Sequence, residues 1–143
     1  LRPHDMILPH RLEMGTKLDH ERGRGLPAWW GGQITSTLTD DLQQAKSKAI
    51  VNLASAEYAK AVQWDALPVP SVTCAFQETK GGKHRTLAAF AKPARGMFAR
   101  WMLQAKPKSS EDLKAFNVEG YTFVPGASDE STLVFRRPQP TAA

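Results

Sequence analysis

The segment IVNLASAEY, residues 50–58, runs from β-branched apolar residues directly into four side chains that could do chemistry: Asn52, Ser55, Glu57 and Tyr58. A serine nucleophile on a strand-to-helix turn is typical of G-x-S-x-G, but Leu53 and Glu57 occupy the two glycine positions. We therefore interpret Ser55 as a helix N-cap. Asn52 ends a buried strand and needs partners there, because an unsatisfied buried polar group costs ~1 to 3 kcal/mol.

A second group of chemically capable residues is the set of three cations in FAKPARGMFAR, residues 90–100: Lys92, Arg95 and Arg100. Pro93 suits a first helical turn, so PARGMFARWMLQA predicts a helix that begins near this proline. Cations at a helix N-terminus are unfavourable unless an anion lies among them, and Gly96 would let a ligand approach the backbone. The pattern indicates either a phosphate or carboxylate site or a solvated basic face.

The sequence gives little support to a metal centre or a bound cofactor. The four histidines, His4, His10, His20 and His84, form no His-x-x-x-His or Glu-x-x-His pair. Cys74 is the only cysteine, which excludes an internal disulfide and suits a reducing compartment. Neither a Walker loop nor G-x-G-x-x-G is present. We predict no metal and no cofactor.

Composition bounds the class of protein. The chain has 143 residues and 41% apolar content, enough for the core of one domain. Its formal charge of +5 favours anionic partners without identifying them. No apolar run approaches the ~18 residues of a membrane span, so we expect a cytoplasmic protein with no membrane partner.

The elements that must position these side chains alternate between helix and strand. Helical spacing of Ile34, Leu38, Leu42, Ala45 and Ala49 predicts an amphipathic helix after WWGG. Trp29 and Trp30 could stack bases, although a tryptophan pair before such a helix more often packs in a core. AIVNLA predicts a short buried strand, followed by a helix from about Ser55 to Trp64.

The second half of the chain predicts a hairpin, helices and two closing strands. VTCAFQET and HRTLAAF flank KGGK, whose glycines supply the positive φ values of a tight turn. EDLKAF predicts a short helix capped by Ser110, and YTFV and STLVF predict strands. The closing RRPQPTAA predicts disorder. This order predicts an α/β (mixed α+β) fold, in which a mixed sheet with a β-hairpin packs against helices.

Five segments together resemble one known family. HRLEMGTKL, WWG, IVNLASAEY, FAKPARGMFAR and FNVEGYTF occur in the order and approximate spacing of the YaaA peroxide-stress protein family. The resemblance covers residues 1–138, but no segment here resembles the Ser-Pro-Ala-Lys-Thr-like start of the family's long N-terminal half. We expect residues 1–138 to be the C-terminal part of a single YaaA-like domain, and residues 139–143 to be a disordered tail.

The resemblance implies a function. Family members are cytoplasmic, protect cells from hydrogen peroxide by limiting unincorporated iron, and bind DNA through a basic cleft and a helix-hairpin-helix element, which we cannot place in these residues. Pro93 and Ala94 stand where the family often has a second basic residue. The matching motifs contain eleven candidate pocket residues: Arg11, Glu13, Asn52, Ser55, Glu57, Tyr58, Lys92, Arg95, Asn117, Glu119 and Tyr121.

Two hypotheses use these residues differently. In the first, the chain binds duplex or junction DNA, with phosphates and other anions held by Arg11, Ser55, Lys92, Arg95, Arg100, Asn117 and Tyr121. In the second, it is an enzyme acting on a nucleotide or other anionic small molecule, with acid–base or hydrogen-bonding groups drawn from Glu13, Asn52, Glu57, Tyr58 and Glu119. The second hypothesis requires these groups to converge in one cleft with the cations.

Overall fold

The structure of the protein is a computed structural model, and it describes residues 15–17 and 19–140. Its α-helices are α1 (Leu26–Trp30), α2 (Gln33–Gln44), α3 (Ala56–Ala59), α4 (Ala88–Ala105) and α5 (Ser110–Leu113). Its strands are β1 (Asp19–His20), β2 (Gly23–Arg24), β3 (Ile50–Asn52), β4 (Ser71–Lys80), β5 (Lys83–Arg85), β6 (Thr122–Phe123) and β7 (Thr132–Pro138). Short 3₁₀ helices cover Trp64–Ala66, Val118–Gly120 and Pro125–Ala127.

The main sheet is mixed, in the order β3-β4-β7-β6. Strands β3, β4 and β7 are parallel, whereas β6 pairs antiparallel with β7 and β5 pairs antiparallel with β4. A separate two-stranded hairpin joins β1 and β2. The predicted mixed α/β fold with a β-hairpin is confirmed.

Strand β4 organises the core. Its sequence SVTCAFQETK alternates in burial, and the buried positions are Val72, Cys74, Phe76 and Glu78. On the same face, Phe76 stacks on Phe135 of β7 at 5.6 Å and meets Phe98 of α4 edge-on at 5.6 Å. Three of these positions are apolar, and the fourth places a carboxylate in the interior.

The predicted hairpin is confirmed, but its second strand is shorter than expected. Strand β5 ends at Arg85, and the LAAF segment instead leads into α4, which begins at Ala88 rather than near Pro93. Alanine is the strongest helix former, and Ala91, Ala94 and Phe98 bury one helical stripe. Pro93 therefore lies inside the helix, and Lys92 does not stand at its N-terminus.

Other predicted boundaries also shift. Helix α2 ends at Gln44 instead of reaching Ala49, since Lys46 adopts a left-handed φ of 51°. The helix expected from Ser55 to Trp64 is divided into α3 and a 3₁₀ turn. Helix α5 is capped by Ser109, whose side chain forms a capping box with Asp112, rather than by Ser110.

The closing strands are confirmed as β6 and β7, but β7 continues through Pro138. The expectation that RRP begins a disordered segment is wrong, because Arg136 donates through Nε to Gln77 at 2.8 Å and Arg137 pairs with Glu78 in register. Residues 11–14 of the RLEMG segment, which include Arg11 and Glu13, lie outside the described residues.

Candidate anion-binding pocket

Glu78 is an acid buried in the sheet. Alternation along β4 directs its side chain to the core face, where only 1% of that side chain is exposed. A buried carboxylate is costly unless it is paired and hydrogen-bonded. Two side chains reach Oε1 of Glu78: the Tyr121 hydroxyl donates a hydrogen bond to it, and Arg137 Nε lies 3.6 Å away.

Arg137 is held by aromatic rings. Its guanidinium carbon lies 4.4 Å from the ring centre of Tyr121 and 5.5 Å from that of Phe90 on α4. Its Nη1 donates to the Glu119 carbonyl at 3.3 Å. Arginine stacks well on aromatic faces because its guanidinium is planar and weakly hydrated. The packing fixes a cation beside the buried carboxylate.

The contacts of Glu78 leave one carboxylate oxygen unused. Among the described residues, neither Oε2 of Glu78 nor Nε of Arg137 has a hydrogen-bond partner, although both atoms are buried. The 3.6 Å separation gives electrostatic attraction without a hydrogen bond. Since a carboxylate can only accept, Oε2 can take a proton donor from a bound molecule.

A pocket of about 410 Å³ opens beside Glu78, and it is cationic. Its lining residues are Glu78, Lys80, Lys83, Arg85, Leu87 and Gln139. The two lysines and Arg85 lie on the hairpin formed by β4 and β5, and all three are exposed. In the described part of the chain none of these cations forms an ion pair. The pocket lining therefore carries three cations and one carboxylate, and Arg137 already pairs with this carboxylate.

The start of α4 adds to this positive potential. Leu87, the residue that precedes α4, lines the pocket and gives the helix no side-chain cap. The first turn of α4 carries no acidic residue. Since the first amides of a helix lack intrahelical partners and carry the positive end of its dipole, this end of the pocket also favours an anion.

Burial raises the pKa of two titratable side chains in the core, Tyr121 and Cys74. Burial, reinforced by the hydrogen bond to Glu78, raises the pKa of the Tyr121 hydroxyl well above its ordinary value. The phenol is thus a proton donor at neutral pH. Burial likewise raises the pKa of the Cys74 thiol to about 12, so the thiolate that a nucleophilic role requires is scarce.

The residues of IVNLASAEY lie elsewhere in the sheet. Asn52 is buried and used locally: it donates to Thr73 Oγ1 at 3.2 Å and accepts from the Ala54 amide at 3.0 Å. Because Asn52 pairs with Thr73, five residues before Glu78, the two positions are about 16 Å apart along the sheet. Ser55 occupies the N-cap position of α3, but its side chain makes no capping bond there.

Glu57 and Tyr58 follow on α3. Oε1 of Glu57 accepts a hydrogen bond from the Gly15 amide at 3.2 Å, and Tyr58 is 55% exposed. Glu119 lies beside Arg137, whose Nη1 donates to its carbonyl. Among the described residues, no hydrogen bond joins Asn52, Glu57, Tyr58 and Glu119 to one another.

The remaining predicted residues lie on α4 and at the 3₁₀ turn Val118–Gly120. On α4, Lys92 and Arg100 are exposed and Arg95 is half-buried. Asn117 and Glu119 are exposed, and Glu119 has a left-handed φ of 54°. Of the sequence-predicted residues that the structure describes, only Tyr121 forms a hydrogen bond with Glu78. The tryptophan pair is partly exposed, at 40% for Trp29 and 38% for Trp30.

Sequence reasoning missed the charged residues that line the pocket, Glu78, Lys80, Lys83 and Arg85, and it missed Arg137, which pairs with Glu78. A signal for Glu78 existed, because it stands in phase with the buried positions of β4. The lysines of KGGK were recognised only as flanks of a turn. For Arg137, a pairing partner 59 residues earlier in the chain is needed, and no local pattern supplies it.

The comparisons with known proteins identify the family of the chain. The described residues form a mixed α/β domain with a cationic pocket at one end of its sheet. The family model described as "Peroxide stress protein YaaA" matches residues 1–127, and the chain belongs to this family. The resemblance found in the sequence motifs is thereby confirmed.

Curated relatives carry the name UPF0246 protein. The chain is 48% identical over 138 residues to the one from Laribacter hongkongensis, a match that covers 96% of this chain and 54% of the relative. It is 46% identical over 140 residues to one from Caulobacter vibrioides, covering 98% of this chain and 55% of the relative. The chain thus spans about half the length of the curated relatives it matches.

Two kinds of feature are absent from the described residues. No group of three or more His, Cys, Asp or Glu side chains in residues 15–17 and 19–140 is arranged to hold a metal ion. Within the same ranges, no helix has the length and apolar character needed to cross a membrane.

Proposed function

We propose that this protein acts in the cytoplasm in the response to peroxide stress, where it binds duplex or junction DNA and helps to limit unincorporated iron. Family membership supports the peroxide-stress role. The observation that supports nucleic-acid binding is a run of cations on the consecutive elements β5 and α4 and the adjoining end of β4, which in the described residues form no ion pairs. They are Lys80, Lys83, Arg85, Lys92, Arg95 and Arg100.

The spacing of the helical cations suits a phosphate backbone. Lys92 and Arg100 are eight residues apart on α4, which corresponds to about 12 Å along the axis. One DNA strand presents a phosphate about every 3.4 Å of helix axis, so this stretch can face three or four phosphates. Such contacts position the protein without reading sequence.

Salt dependence tests the DNA proposal. Fluorescence anisotropy with a labelled duplex and a four-way junction, from about 50 to 200 mM salt, should show affinity falling steeply as counterions are released. Lys92→Ala with Arg95→Ala should weaken binding and reduce the log–log salt slope by about 0.9 for each phosphate that is no longer neutralised. Lys48→Ala with Lys108→Ala, two exposed lysines outside β5 and α4, is the matched control.

Two results would contradict DNA binding through this surface. One is an affinity that does not change with salt, and the other is equal binding by the α4 variant and its control. The iron role is tested separately, by measuring chelatable iron and survival after hydrogen peroxide in bacteria that carry the same variants in the complete protein. Restored survival with the α4 variant would separate iron limitation from DNA binding.

A second candidate function is an enzyme that acts on a nucleotide or other anionic small molecule. The pocket favours it, because a buried carboxylate that lines a cationic cavity accepts a hydrogen bond from a protonated phenol. Such neighbours are typical of acid–base sites. Incubation with nucleoside mono-, di- and triphosphates, followed by chromatography, should reveal turnover that Glu78→Gln abolishes. Unchanged nucleotides after prolonged incubation would argue against this function.

A further inference from the structure

We propose that the pocket beside Glu78 binds a small anion that also carries an N–H or O–H donor, with Lys80, Lys83 and Arg85 holding the anionic group and Oε2 of Glu78 accepting from the donor. A nucleoside monophosphate has both features. The proposal deepens the second candidate function and rests on it for the ligand class, but it requires binding and not turnover.

The first step of the argument is charge. Glu78 and Arg137 neutralise each other, which leaves the three exposed cations of the β4–β5 hairpin without a carboxylate partner among the described residues. The uncapped start of α4 adds positive potential at Leu87. Cations and helix amides that converge on one cavity are favourable when an anion is present.

The second step is the unused oxygen. Glu78 is 2% exposed and lines the cavity, and its Oε2 has no hydrogen-bond partner in the part of the chain described. A buried acceptor left unsatisfied is unfavourable, and more so when it is charged. A purely anionic ligand would repel this oxygen. A ligand whose donor reaches it satisfies the carboxylate while its anionic end meets the cations.

The third step is rigidity. Tyr121 and Arg137 both contact Oε1 of Glu78, and Arg137 is itself packed between Tyr121 and Phe90. These contacts fix the carboxylate, so that a ligand donor that reaches Oε2 binds without a further loss of side-chain entropy at Glu78. A cavity of about 410 Å³ falls within the ordinary size range of small-molecule sites.

Calorimetric titration in a phosphate-free buffer, with adenosine monophosphate and sulfate as probes, tests the proposal. Sulfate at neutral pH is an anion without a hydrogen-bond donor, so it reports the cations alone. Glu78→Gln should weaken adenosine monophosphate binding about tenfold or more, since a hydrogen bond to a charged group contributes about 1.5 to 3 kcal/mol. The same change should leave sulfate affinity unchanged or raise it, because it removes a negative charge that repels sulfate.

Two further variants complete the design. Lys83→Ala with Arg85→Ala changes only exposed side chains and should weaken both probes. Glu130→Gln removes an exposed carboxylate that does not line the pocket and should change neither affinity. If Glu78→Gln does not fold, amide spectra of the unaltered protein decide: adenosine monophosphate should shift the resonances of Glu78 and Tyr121, and sulfate should not.

The outcomes separate this inference from the proposed enzyme. No binding of adenosine monophosphate, equal affinity in Glu78→Gln, or equal spectral shifts with both probes would each overturn the pocket assignment. Binding with the expected pattern but without turnover would support the pocket and leave the protein a nucleotide binder. Turnover that survives Glu78→Gln would support an enzyme whose acid–base group lies elsewhere, and would also overturn the role of Glu78.

Discussion

Arg137 Nε lies 3.6 Å from Glu78 Oε1, and the two side chains are 10% and 1% exposed. Arg137→Met should destabilise the fold by about 3 to 5 kcal/mol, because it leaves a buried carboxylate without its cation. Adding Glu78→Gln should recover part of this loss. Urea unfolding of both single variants and the double variant measures the coupling. Lys114→Met, at the exposed ion pair with Glu111, should cost at most about 1 kcal/mol.

Tyr121→Phe removes the hydroxyl that donates to Glu78. We expect a loss of about 1 to 3 kcal/mol in the free energy of unfolding, because a buried carboxylate loses a donor. Tyr58→Phe is the matched control, since Tyr58 is 55% exposed and its change should stay within about 0.5 kcal/mol. Equal stabilities of the two variants would show that the Tyr121 hydroxyl does not stabilise the fold.

The ionisation of Tyr121 provides a prediction about pH. The chain has two tyrosines, so Tyr58→Phe leaves Tyr121 as the only phenol. Burial raises the pKa of Tyr121 in the folded protein above the unfolded pKa of about 10. The contribution of this group to the free energy of unfolding is therefore complete below about pH 10 and is lost as the pH rises through the folded pKa. In Tyr58→Phe, the tyrosinate absorbance should therefore rise together with unfolding. A rise at about pH 10 in the folded protein would contradict the burial effect.

At acid pH, Asp129 should govern part of the stability. Hydrogen bonds from the Ser131 side chain, then from the Ser131 and Thr132 amides, hold the pKa of this carboxylate below its ordinary value. A depressed folded pKa gives stability that is present above the unfolded pKa of about 3.9 and is lost as the pH falls through the folded value. The urea midpoint of Asp129→Asn should therefore fall less between pH 5 and pH 3 than that of the unaltered protein.

Gly96 and Gly82 should respond oppositely to alanine. Gly96 lies inside α4 with open space where the methyl group of an alanine would stand, so Gly96→Ala should stabilise by about 0.5 to 1 kcal/mol. Gly82 has a φ of +73° in the hairpin turn, and Gly82→Ala should destabilise by about 1 to 2 kcal/mol. Thermal unfolding measures both. If Gly96→Ala abolished DNA binding while raising stability, the sequence-based idea of a close ligand at Gly96 would be favoured.

The sequence predicts much of this fold because β4 and α4 carry strong periodic patterns. Alternation identifies β4 and its buried face, and the paired glycines at 81 and 82 identify the hairpin. The start of α4 was misplaced because Pro93 is typical of a first turn, whereas burial of Ala91 and Ala94 extends the helix before it. At the start of α4, burial of these alanines outweighs the local preference of proline for a first helical turn.

The candidate site was less predictable because it depends on contacts between distant segments. Asn52 was expected to need partners, and its bonds to Thr73 and Ala54 supply them. The motif FNVEGYTF identifies Tyr121 as a candidate residue, but its partner Glu78 is 43 residues away in the chain. Nothing in the local sequence of RRPQP indicates that Arg137 pairs with that same acid.

The parallel pairing of β4 with β7 also bears on how the protein folds. Its register joins Thr73 to Thr132 and Glu78 to Arg137, so each contact closes a loop of 59 residues. Closing a loop of this length costs chain entropy before the strands can pair, so such non-local contacts slow folding. The hairpin of β4 and β5 can form early from local contacts, whereas the buried carboxylate gains its arginine only when β7 docks. Completion of the pocket should therefore coincide with the slowest step of folding rather than precede it.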